Sequence, residues 1–330
     1  MDTFRTPIKV SPSREKIRYT DGLLFLGSCF TGYIGSRLLD LHFNALVNPS
    51  GVLFNPSSIA HTLRRIHSGE LYQENELGFY RDLWFSFDHH TSFSHPDKAN
   101  CLEMINREAE KAQHHFANSR FLFVTFGTAW VYRLIETGKI VANCHKWPAS
   151  HFNRILLFPD EIVREYTGLI GELRQQHPGL QVIFSVSPVR HLGDGMQENQ
   201  LSKSILIQAV NELTSRIELC HYFPAYEIMM DDLRDYRFYE PDMVHPNNLA
   251  IDYIWKVFME TFMDKETISI AEEVDKLRKA SLHQPVHPSG KEYQIFCESQ
   301  LRNLSSLKLR YPFLDLSAEE IRFIERHSSH

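Results

Sequence analysis

Cysteine is scarce in this chain. Its five residues, Cys29, Cys101, Cys144, Cys220 and Cys297, are odd in number, widely scattered and free of any CxxC pair. That excludes a disulfide framework and a zinc knuckle, and it fits a reducing compartment, so a cytoplasmic protein is expected. Long apolar runs are missing too. No stretch approaches the ~18 residues of a membrane span, and the charged first twenty residues hold no signal-peptide core. Positive charge is not in excess: 35 Lys and Arg stand against 41 Asp and Glu, a net charge of -6. Nothing overall would attract a phosphate backbone, which disfavours nucleic acid as a partner. Internal repeats and low-complexity tracts are also absent.

What remains is an ordinary globular balance over 330 residues, 43% hydrophobic and 23% charged. This is enough for one large domain or two ordinary ones. Five short apolar runs read as strands: Leu23 to Leu26, Asn44 to Asn48, Phe121 to Phe126, Val182 to Val186 and Tyr222 to Tyr226. Most are continuous rather than alternating, as strands covered on both faces are. Pro224 restricts the fifth to an edge or a strand end. Helical spacing lies between them, over 30–41, 56–67, 99–115, 160–176, 199–219 and 247–262. Alternation of this kind predicts an α/β fold with a parallel sheet, and the continuous apolar strands, with candidate site residues at their carboxyl ends, predict five strands in the order 2-1-3-4-5. Two β-like runs around Glu136-Thr137-Gly138 predict a hairpin insertion, and 79–87 a further irregular one. Beyond about residue 263 three more helices are expected, over 265–282, 292–304 and 317–327, with a linker over Gln284 to Gly290. The chain therefore divides into 1–263, carrying the chemistry, and a helical extension over 264–330.

Chemistry-bearing residues gather where strands end. The first strand runs into Gly27-Ser28-Cys29-Phe30-Thr31. A small residue at a sharp strand-to-helix turn lets the next side chain stand clear, and the helix N-terminus favours a thiolate there. A buried cysteine and a capping serine would look the same. Asp242-Met243-Val244-His245 precedes the last strong helix of 1–263. There an aspartate can orient an imidazole through one ring nitrogen, or merely cap the helix. Asn48-Pro49-Ser50-Gly51 and Gly127-Thr128-Ala129 follow the second and third strands, and Gly51 offers a positive φ and an exposed N–H. Arg190 and His191 follow the fourth, as pocket residues or strand-end caps in equal measure. Among the 18 histidines, the adjacent pairs His89-His90 and His114-His115 point apart on a regular element and read as solvated surface. The Asp231 to Arg237 run reads as surface ion pairs.

In order, Gly27-x-x-Phe30-Thr31, Gly51, Gly127-Thr128 and Asp242-x-x-His245 resemble the SGNH (GDSL-like) hydrolase superfamily. Gly27-Ser28-Cys29-Phe30, with Asn48-Pro49 and Asn143-Cys144-His145-Lys146, resembles the GSCFA family within it, over about residues 3 to 262. The resemblance implies a flavodoxin-like three-layer sandwich and acyl-ester chemistry. Two departures stand out. Aligned without a gap, the superfamily nucleophile falls on Cys29, and a shift of one residue would put it on Ser28. Ala129 stands where the superfamily places an asparagine that donates to the oxyanion, and losing such a donor costs ~10²–10³ in rate. Asn143, returned to the sheet edge by the hairpin, is the first candidate substitute, and Asn48 the second. His145 and Lys146 are expected at the pocket rim, facing an anionic substrate.

The expected function is a hydrolase or acyltransferase on an ester or thioester. Cys29 or Ser28 attacks, His245 acts as base, and Asp242 orients it. Gly51, Asn48, Thr128, Asn143, His145, Lys146, Arg190 and His191 line the oxyanion and substrate site. A small-molecule or glycan acyl substrate is expected, with no metal and no organic cofactor. The rival is a catalytically inactive binding protein on the same scaffold. Geometry separates them first: His245 should lie within hydrogen-bond reach of Cys29 or Ser28.

Overall fold

The computed structural model describes residues 6–285 and 290–328. They form two compact units. The first takes in 22–35 and 45–258, and the second 12–21, 36–44 and the chain from 259 onward. The helical unit thus draws on two segments that precede residue 264.

In the first unit every residue of β1 (Gly22–Gly27) is buried, and nearly all of β5 (Ser119–Phe126) and β9 (Gln181–Val186), which explains their unbroken apolar sequence. β2 (Ala45–Val47) and β10 (Cys220–Phe223) complete a sheet in the order β2-β1-β5-β9-β10, with every pairing parallel. Counting only these five strands, that is the order 2-1-3-4-5. One face, with Leu24, Leu26, Val124, Phe126 and Phe184, packs on α2 (Pro56–Ser68), α3 (Lys98–Ala117), α4 (Pro159–Gln176) and α5 (Met196–Arg216). On the other face Phe25 stacks on Phe123 at 4.2 Å, and Phe123 meets Phe258 of α7 (Asn248–Phe262). Phe30 and Ile34 of α1 (Cys29–Asp40) share that side. The result is three layers.

Local chemistry sets the helix boundaries. Asn55 accepts from Ser58 N at 2.8 Å, Pro56 opens α2, and Gly69 closes it with φ 70°. Asp97 accepts from Asn100 N to start α3. β10 ends at Phe223, not at Tyr226. Pro224 has no N–H for the ladder, and its carbonyl instead accepts from Ile228 N at 3.0 Å, opening the single turn α6 (Ala225–Glu227).

Two small antiparallel sheets are inserted. β3 (Leu77–Tyr80) and β4 (Leu83–Ser86) form a tight hairpin over Arg81 and Asp82, whose φ values of 49° and 62° suit a right-twisted turn. β6 (Trp130–Leu134) pairs with β7 (Ile140–Val141), as expected, and also with β8 (Phe152–Leu156), which was not.

The second unit holds α8 (Lys265–Leu282), capped by Asp264, with α9 (Lys291–Arg310) and α10 (Ser317–Ser328). Lys308 pairs with Glu320, and Arg310 with Glu273. Of the expected linker, Val286, His287, Pro288 and Ser289 lie outside the described residues. Among the described residues no helix is long and apolar enough to cross a membrane.

Candidate active site

The turn after β1 is built around a glycine no other residue can replace. Gly27 has φ +144°, and a Cβ there would sit 2.2 Å from Thr125 O. Its N–H donates to Asn48 Oδ1 at 2.9 Å, and its carbonyl accepts from Leu53 N at 2.9 Å. The chain can then turn directly into α1. Ser28 is 1% exposed, and its Oγ is buried with no hydrogen-bond partner. Cys29, by contrast, is only partly buried and opens the helix at the carboxyl edge of the sheet. Of the two aligned nucleophiles, the structure places the cysteine at the edge and the serine in the interior. The expectation of a resting thiolate is corrected. Burial raises the Cys29 pKa, and the opposing Phe30 N–H, Lys203 charge and Cys29 N–H do not overcome it.

The Asp242 loop forms a tight acceptor nest. Asp242 Oδ1 takes the N–H groups of Val244 at 2.9 Å and His245 at 3.0 Å, and Oδ2 meets His245 Nδ1 at 2.6 Å. The His245 N–H, its ring and the Val244 N–H together pull the Asp242 carboxyl down to about 2. A carboxylate at Nδ1 assigns the proton to that nitrogen and leaves Nε2 as the basic atom. Glu240 N donates to His245 O at 2.8 Å, which fixes the loop. The expected hydrogen bond from His245 to a nucleophile is not made: among the described residues none joins it to Cys29 or Ser28. The two halves instead share neighbours. The Tyr33 hydroxyl, raised first by burial, also feels Cys29, Glu240 and Asp242. His191 is lowered by burial and then by Lys203 and His245, against Asp194.

Beneath this edge lie three residues that sequence reasoning missed. Asn199, Ser202 and Lys203 are spaced i, i+3, i+4 on α5, and each is at most 2% exposed. Lys203 Nζ donates to Gly127 O at 2.7 Å and Ser187 O at 2.8 Å, tying together the turns after β5 and β9. Burial lowers its pKa, Cys29 opposes that shift and Arg190 adds to it. Ser202 Oγ accepts from Ala129 N at 2.8 Å and bonds Thr128 Oγ1 at 3.1 Å. Asn199 Oδ1 accepts from His191 N at 2.9 Å. The signal was available. Tracing the apolar stripe of Leu206, Val210 and Leu213 back by three and four residues lands on these polar side chains, which therefore face inward.

The remaining expected residues divide. Gly51 has φ 78°, as required, but its N–H donates to Asn48 O at 2.8 Å and is not exposed. Its turn closes on itself. Asn48 lies beside the nucleophile turn through its bond to Gly27. Thr128 Oγ1 accepts from Trp130 N at 3.1 Å, pinning the turn. Asn143 Oδ1 accepts from His145 N at 2.8 Å, and its own N–H donates to Phe87 O at 3.2 Å. His145 is not at a rim. It is 8% exposed, stacks on Phe85 at 4.2 Å, and donates from Nε2 to Ser86 O at 2.8 Å. Lys146 is exposed. Two histidines expected at the surface are drawn in, His89 fully and His115 in part. His89 is 2% exposed beside Ser86 Oγ, and burial takes its pKa to about 4. His115 donates to Leu23 O at 2.9 Å.

Fold and site define a three-layer α/β protein with a cysteine at the first strand-to-helix turn and a histidine–aspartate pair on a loop before the last helix of that unit. The GSCFA family model matches residues 22–258, and the model of the GSCFA domain protein, C-terminal domain, matches 274–327. The chain belongs to the GSCFA family. No curated protein matches it. Two solved structures are similar at 13% identity. One is a "putative platelet activating factor" from Streptococcus pneumonia, covering 72% of this chain and 84% of that one, with a TM-score of 0.34. The other is an acetyl xylan esterase (Est2A) from the rumen bacterium Butyrivibrio proteoclasticus, covering 80% of this chain and 64% of that one, with a TM-score of 0.36.

Proposed function

We propose that the protein transfers or hydrolyses an acyl group held as an ester or thioester, with Cys29 as nucleophile, His245 as base and Asp242 holding the imidazole. The observation that carries this reading is the 2.6 Å contact of Asp242 with His245 Nδ1. It holds the proton on Nδ1 and leaves Nε2 free to accept another. Because burial holds the Cys29 thiol above its ordinary pKa, the group needs such a base. His245 Nε2 takes the Sγ proton as sulfur adds to the acyl carbonyl. The Cys29 N–H and the Asn48 amide, beside the same turn, are the donors proposed for the resulting oxyanion, with the Lys203 charge adding to them. The departing alcohol or thiol takes its proton from His245, leaving a Cys29 thioester. Water or an acceptor hydroxyl then attacks that thioester as His245 removes its proton, the bond from carbon to Cys29 Sγ breaks, and His245 returns the proton to the sulfur.

The bond to Gly27 favours Asn48 over Asn143 as the substitute for the amide missing at Ala129. A binding role on the same scaffold is favoured by the unmade contact between His245 and Cys29. Catalytic hydrogen bonds in unliganded enzymes are often long, so that contact can close with substrate. Steady-state kinetics on short-chain thioesters tests the reading. Asp242→Asn should lower kcat by about 10²–10⁴. Asn48→Ala should lower it by about 10²–10³ with little change in KM, and Asn143→Ala far less. Turnover by wild-type protein that survives Asp242→Asn and Asn48→Ala would remove this machinery. No turnover on any ester or thioester would favour the binding role.

A further inference from the structure

Beside the Asp242 loop lies a cleft of about 390 Å³ whose lining includes Arg190, Met196, Met230, Tyr236, Tyr239 and Met243. Met243 sits inside the Asp242-to-His245 loop, with φ 61°. Arg190 is next to His191, whose ring lies within electrostatic reach of His245 and Lys203. The cleft therefore opens beside the loop that carries His245.

Its charge is unbalanced. Arg234 and Asp235 also border it, but each is satisfied elsewhere. Arg234 pairs with Asp231 at 2.7 Å, and Asp235 with Arg237 at 2.9 Å. Arg190 has no carboxylate partner among the described residues. Its Nη2 meets only a thioether, Met230 Sδ, at 3.0 Å. A thioether is a weak acceptor, and a guanidinium offers five N–H groups in a planar fork. Lys203, fully buried on two carbonyls, brings no carboxylate to Arg190. An uncompensated guanidinium fronting an open cleft walled by tyrosine and methionine leaves a place for an anion.

We infer that this cleft binds an anionic group of the substrate, a carboxylate or a phosphate, held by the Arg190 guanidinium between apolar walls while Cys29 reacts with the acyl carbon. The inference rests on acyl transfer at Cys29 for its meaning, but it can be read without turnover.

The experiment is alkylation of the full chain at one pH by iodoacetate, an anion, and by iodoacetamide, its neutral counterpart. Modification of the Cys29 and Cys144 peptides is followed by mass spectrometry. The iodoacetate-to-iodoacetamide rate ratio at Cys29 should exceed that at Cys144 and that of N-acetylcysteine. Arg190→Gln should lower the Cys29 ratio at least about five-fold, and Arg190→Lys should retain part of it. A thermal melt of each variant checks folding. Malonate and inorganic phosphate serve as competitors, and whichever slows carboxymethylation in the wild type but not in Arg190→Gln gives the anion's class. A Cys29 ratio equal to that of the free thiol and unchanged by Arg190→Gln would overturn the inference. If the preference holds but no acyl group is ever transferred, the cleft stands and the acyl-transfer reading falls. If transfer occurs without the preference, the reverse follows.

Discussion

Lys203 has no exposure to solvent, and its ammonium rests on two backbone carbonyls under the nucleophile turn. A cation so placed lowers the pKa of a neighbouring thiol, and its charge is one of the forces pulling Cys29 down. Lys203→Met should therefore move the pH dependence of Cys29 alkylation by iodoacetamide to higher pH, with the Cys144 peptide as internal control. An unmoved profile in a folded variant would leave the lysine a purely structural tie. Residues of this kind are the hardest to read from sequence. Cys29, Asp242 and His245 stand out as candidates because their types and order match a known pattern. Lys203 sits in a helix where a lysine usually means a wet face. His145 and His89 mislead the opposite way, because nothing in their neighbours' types shows that aromatic rings close over them.

Among elements, the β1–α1 junction shows why local sequence suffices in some places. Gly27 is required by a positive φ and by the approach of Thr125 O, so the turn is written in one residue. Gly27→Ala should cost about 3 kcal/mol or more, through backbone strain and overpacking, and appear as a lowered urea midpoint. A midpoint equal to wild type would mean the turn is not held as described. β1, β5 and β9 were visible because both faces are covered and their residues are largely apolar. β8 was not. Phe152-Asn153-Arg154-Ile155-Leu156 has two exposed polar residues in its middle, and its strand character comes from pairing with β6. The α5 stripe failed for a related reason. Its inward face changes from apolar to polar near the sheet edge, so a search for hydrophobic periodicity stops one turn too soon.

The whole chain separates two kinds of information. The parallel sheet order follows from burial and connection rules that act over its full length. The helical unit draws in segments from before α1 and after α1's first turns, which composition alone did not assign to it. The candidate site likewise assembles β1, β5, β9, α5 and the 242–245 loop, residues far apart in sequence that only the closed fold brings to one edge. The acyl transfer proposed for this edge runs through a covalent acyl intermediate on sulfur. Intact-mass measurement during incubation with a short-chain acyl thioester, followed by peptide mapping, tests it most directly. A single acyl adduct is expected on Cys29, absent in Cys29→Ala and retained in Ser28→Ala. An adduct on Ser28, or turnover that persists in Cys29→Ala, would contradict it.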